Sequence, residues 1–70
     1  MDIERLVEML NDIAANQVAD PDSAVEVIAQ HLMRFWDPRM RAQIIAHAAH
    51  GGVGLCEDAR AAVLRLGARA

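Results

Sequence analysis

Residues 35–41 read Phe35-Trp36-Asp37-Pro38-Arg39-Met40-Arg41, and the pair at their centre divides one helix from the next. Proline suits the first position of a helix, where no amide hydrogen is needed, and it disfavours helical backbone in the residue before it. Asp37 therefore reads as the N-cap of a helix opening at Pro38, and the preceding helix ends at or before it. The same device stands upstream as Asp20-Pro21-Asp22, where Asp20 is expected to cap and Pro21 to open the second helix. Downstream, Gly51-Gly52-Val53-Gly54 stops the third helix, because glycine accepts the left-handed conformation of a helix end. In the first segment Ile3, Leu6, Val7, Leu10, Ile13, Ala14 and Val18 form one stripe of helical period. Asp2 is placed to cap it, and Gln17 falls inside its apolar arc. A last helix starts near Cys56 or Glu57 and stops at Gly67, with Ala59, Ala62, Val63 and Leu66 as its stripe and Leu55 stapling its start. The expected fold is all-α, a small compact bundle of three main helices plus a short C-terminal helix. It forms a single domain over residues 1–67 with a flexible tail at 68–70.

Of the 70 residues, 54% are apolar, which excludes a disordered segment. Fourteen of them are alanine, and there is one Phe, one Trp and no Tyr. A core this modest rarely stabilises a chain below roughly 70–80 residues by more than about 3–5 kcal/mol, so a disulfide, a metal or a partner usually helps. One cysteine cannot form an internal disulfide and suits a reducing compartment. Asp2 and Glu4 occupy positions where an export signal needs positive charge, and no apolar run nears the roughly 20 residues of a membrane span. The expected location is the cytoplasm. All seven cations are Arg. Residues 1–30 carry seven acids against Arg5, whereas residues 31–70 carry six Arg against three acids. A net charge of −3 disfavours general binding to nucleic-acid phosphates.

Helices two and three are broadly apolar. On the second, Ala24, Val25, Ile28, Ala29, Leu32, Met33, Phe35 and Trp36 span about half the circumference, where an arc of roughly 100° serves a surface helix. The third confines Arg39, Gln43, His47 and His50 to a narrow arc and places Arg41 in the middle of the apolar one. A domain of this length is not expected to bury both faces itself, so part of that surface should meet another chain.

Catalytic and metal chemistry find little support. His47-x-x-His50-x5-Cys56 matches no zinc spacing and lacks a fourth ligand; the plainer reading is two histidines favoured near a helix C-terminus. Cys56 has Glu57 and Asp58 beside it, which raise rather than lower a thiol pKa. The glycine run follows a helix rather than a strand and lacks the Lys-Ser/Thr ending of a phosphate loop. No catalytic, cofactor-binding or metal-binding residue is therefore assigned. A free-standing helical DNA-binding protein, reading bases with Arg39, Gln43, His47 and His50, or a small adaptor, is the alternative. The acidic first helix and the absence of Lys count against DNA.

Residues 35–41 have the most unusual composition of the chain. They gather both aromatics, two Arg and a Met at a corner between helices, and such residues are enriched at protein interfaces. Neighbouring helix residues diverge by about 100°, so one aromatic should fill the core while the other faces outward. Phe35, Trp36, Arg39, Met40 and Arg41 are the expected partner-binding residues, and Asp20 and Asp37 the expected caps.

This string, together with Ile3-Glu4-Arg5-Leu6-Val7, Asn11-x-Ile13-Ala14, His31-Leu32, Gly51-Gly52-x-Gly54-Leu55 and Ala61-Ala62-Val63, resembles the delta subunit of cytoplasmic, NAD-dependent, molybdenum-containing formate dehydrogenase. The resemblance runs along nearly the whole chain. It implies an accessory subunit without cofactor or catalytic residues of its own, in an enzyme that oxidises formate to carbon dioxide and passes electrons to NAD. It further implies docking on the large alpha subunit, which holds a molybdopterin-type cofactor and iron–sulfur clusters, beside beta and gamma subunits carrying flavin and further clusters. The implied role is assembly, cofactor insertion or stability of that complex. Consistently, a [4Fe–4S] cluster needs four Cys, and one is present.

Overall fold

The computed structural model describes residues 2–16 and 20–69. Four α-helices account for most of them: α1 (Ile3–Asn16), α2 (Ala24–Phe35), α3 (Pro38–Ala49) and α4 (Glu57–Arg69). A 3-10 turn, Pro21–Ser23, leads into α2, and no strand occurs among the described residues. Gln17 and Val18, expected on the first helix, lie outside them.

The boundaries follow from local chemistry. Asp37 caps α3 as the sequence suggests, its Oδ1 accepting the Met40 amide at 2.9 Å with Pro38 at the first turn. Asp20 also caps, but through the 3-10 turn. Its carboxylate accepts from the Asp22 amide at 3.1 Å and the Ser23 hydroxyl at 3.3 Å, while the Ser23 amide donates to the Asp20 carbonyl. Ser23 closes the 3-10 turn and stands as the N-cap of the next helix, so α2 proper begins at Ala24 rather than Pro21. At the far end of α3 the Gly52 amide reaches the His47 carbonyl at 3.0 Å and the Gly51 amide reaches Ala48 at 3.2 Å. These are the two bonds of a Schellman termination, and Gly51, the residue after the His50 cap, supplies the positive φ, 112°, that it requires.

The last helix holds a correction. It continues through Gly67 to Arg69 instead of stopping at Gly67 before a tail, which makes it as long as its neighbours. A Cβ at Gly67 would stand 3.1 Å from Ile45 Cγ2. Glycine is there for the close approach of α3 and α4, not for termination.

α4 packs against each of the other helices, while α1 contacts both α2 and α3. The core runs between them through Leu6, Leu10, Ile28, Leu32, Ile44 and Val63, all fully buried, with Leu55 packed against it. Three α4 positions in contact with this core are small or β-branched (Ala59, Ala62, Val63), which suits a helix placed among three others. The Cα radius of gyration is 10.6 Å, against about 11 Å for a compact chain of this length. Among the described residues no helix is long and apolar enough to cross a membrane.

Candidate docking surface

The α2–α3 corner separates the five expected partner-binding residues into two groups. α2 ends at Phe35, and Trp36 adopts an extended conformation at φ −94°, ψ 137°. That single change of backbone sends the indole inward, where it is 4% exposed within the main core, while Phe35 stays outside at 70%. The anchor expected of Trp36 is thus reassigned. The side chain already fills this chain's own interior, and Phe35 is the outward aromatic.

Arg41 also turns inward. Its guanidinium donates to the carbonyl of Trp36, and more weakly to those of Met33 at 3.4 Å and Leu32 at 3.5 Å. The Leu32 carbonyl already accepts the Trp36 amide, but the later carbonyls of a helix end lack intrahelical partners and carry its partial negative charge. A cation placed on them acts as a cap, and its aliphatic stem can lie along apolar surface. This explains an arginine in the middle of the apolar arc of α3. Met40 is half-buried against the core, and Arg39 is exposed.

Beside Phe35, Val27, Gln30, His31 and Arg34 line a shallow depression of about 180 Å³. The His31 and Phe35 rings are 4.6 Å apart and tilted by 40°, so the imidazole steadies the exposed aromatic one helical turn away. Met33, 54% exposed, lies on the same last turn. On α3, by contrast, the uncovered residues Ala42, Ala46 and Ala49 are too small to form a strong apolar patch. The broad arc read from the helical wheel was therefore partly an effect of counting alanine with the larger residues.

A second feature lies across the molecule, where Asn11 holds the glycine loop from α1. Its Nδ2 donates to the Gly54 carbonyl at 2.8 Å, and its Oδ1 accepts the Cys56 amide at 2.9 Å. Sequence reading gave Asn11 no such task; a lone Asn on the polar flank of a helix carries no signal for a partner more than 40 residues away. His47 Nε2 donates to the Val53 carbonyl and His50 Nδ1 to the Ala46 carbonyl, both at 2.8 Å. Both imidazoles thus secure the end of α3. Near them Ile3, Glu4, Val7, His47, Val53 and Gly54 line a groove of about 380 Å³. Cys56 is exposed, and among the described residues no three His, Cys, Asp or Glu side chains come together as a metal site.

A family model described as NADH-dependent formate dehydrogenase delta subunit FdsD matches residues 5–63. The chain belongs to that family. The matched span takes in the α2–α3 corner, the Asn11 clamp and the whole glycine loop. No curated protein and no solved structure matches the chain. Membership makes this chain a subunit of a formate dehydrogenase.

Proposed function

We propose that this delta subunit is non-catalytic and docks, by the outward side of its α2–α3 corner, on the large molybdopterin-containing subunit of a cytoplasmic NAD-dependent formate dehydrogenase. There it supports assembly, cofactor insertion or stability of the complex with the beta and gamma subunits. The observation that carries the reading is Phe35, a large aromatic held 70% exposed on a corner stiffened by the Asp37 cap and the Arg41 bridge. A fixed, solvent-facing aromatic flanked by Met33, Arg34 and Arg39 has the composition of an interface centre. Trp36 and Arg41 act from behind, setting the direction in which Phe35 and Arg39 project.

The residues of this chain do not suit the iron–sulfur clusters implied for the enzyme. Cys56 is its single thiol, where a cluster needs four, so iron–sulfur clusters are assigned to the partner subunits, and the molybdopterin-type cofactor and flavin go with them as the resemblance implies. Deleting the chain from cells that make the other subunits tests the role. The expected result is an enzyme with lowered molybdenum content and slowed formate-dependent reduction of NAD. Full metal content and full activity without the chain would refute it.

A further inference from the structure

We infer that the face of α2 formed by Val27, Gln30, His31, Arg34 and Phe35, continued by Arg39 across the corner, receives an acidic segment of the large subunit bearing an apolar side chain. This rests on the docking reading and adds the chemistry of what is docked. The five α2 residues line one depression, bounded by two apolar side chains, Val27 at 36% exposure and Phe35 at 70%. Gln30 offers an amide at its edge. Its charge is of one sign. Arg34 lines it and Arg39 lies five residues on, both exposed, and among the described residues neither makes an ion pair or hydrogen bond. The neighbouring acids are engaged elsewhere, Asp37 on the Met40 amide and Glu26 on Arg65 at 2.8 Å.

An apolar side chain in the depression would cover Phe35, and carboxylates flanking it would meet the two guanidinium groups, which bind carboxylate in a two-pronged fashion. A second copy of this chain meeting it face to face fits poorly. A two-fold axis passing through this face would set Arg34 against Arg34, and like charges at an interface are repulsive. The acidic face of α1, with Glu4, Glu8 and Asp12 exposed, would repel the same segment and so favour one orientation.

The experiment places a photoreactive p-benzoylphenylalanine at position 35 of the full chain, expressed with the complete enzyme, and maps the crosslinked peptide by mass spectrometry. The expected product is a large-subunit peptide containing Asp or Glu together with a large apolar residue. Arg34→Glu with Arg39→Glu should weaken retention of the large subunit by about 30-fold or more, and wild-type retention should fall as salt rises. Circular dichroism of the variants checks that they fold. Crosslinking to a segment without acids, or unchanged retention by the charge-reversed variant, would overturn the acidic chemistry while leaving docking intact. A crosslink to a second copy of this chain would overturn the assignment of the partner. If the wild-type chain fails to co-purify with the large subunit at all, the docking reading falls and this inference with it.

Discussion

Trp36 and Arg41 show how a single residue can be read correctly as unusual and still have its task mistaken. Both belong to a composition typical of interfaces, yet the indole is interior and the guanidinium is occupied by the carbonyls at the end of α2. Being the chain's sole tryptophan, Trp36 reports on this directly. Its emission in the free chain should be blue-shifted and resistant to acrylamide, shift red in urea, and stay unchanged when the large subunit binds; a red, readily quenched emission in the folded chain would contradict the burial. Trp36→Ala should cost about 3–5 kcal/mol, the range for emptying a large aromatic site. Arg41→Ala leaves the last carbonyls of α2 without their cap and should lower stability by about 1–2 kcal/mol, seen as a lower urea midpoint with an unchanged slope. Arg41→Lys should restore only part of that, since one ammonium cannot span the carbonyls as a guanidinium does.

At the scale of elements, the chain is organised by its helix ends. Asp37→Ala should destabilise by about 1 kcal/mol, the usual cost of a lost N-cap, with the effect in thermal melts of the free chain. The loop between α3 and α4 depends on a long-range tie instead. Replacing Asn11 by Ala removes one donor and one acceptor from the Gly54 carbonyl and Cys56 amide. We expect a loss of about 1–3 kcal/mol, accompanied by faster amide exchange at Cys56; an unaltered exchange rate would show that the clamp is dispensable. Helix positions and caps were largely legible, because proline, glycine and capping carboxylates act within a few residues. Asn11 and Gly67 were not. One joins α1 to a loop distant in sequence, and the other marks the approach of α3 to α4, and neither relation has a local signature.

For the molecule as a whole, the accessible surface is 4527 Å², close to the roughly 4,300 Å² expected of a free-standing protein of its mass. The chain therefore hides about as much of itself as an independent domain does, and among the described residues its exposed large apolar side chains are few: Val27, Met33 and Phe35 on α2, Val53 in the glycine loop and Leu64 on α4. Fold and docking are separable in consequence. Phe35→Ser should leave the melting behaviour of the free chain within about 0.5 kcal/mol of wild type, as for exposed sites outside the core, while reducing capture by the large subunit. A comparable loss of stability would mean that Phe35 supports the fold after all. Binding should also raise the melting temperature of the chain in a concentration-dependent way, since a ligand of the native state alone stabilises it by mass action.

The sequence by itself determined four amphipathic helices, two aspartate caps, a glycine stop and a chain whose resemblance is to a formate dehydrogenase subunit. These depend on the order of neighbouring residues, which periodicity and backbone stereochemistry translate directly. Only the tertiary structure decided which aromatic of the adjacent pair faces inward, since one extended residue after the last turn of α2 redirects the indole. It alone also turned Arg41 from a contact residue into a cap and Gly67 from a stop into a packing site. Each of those roles is set by what lies across the fold, where spacing along the chain carries no information.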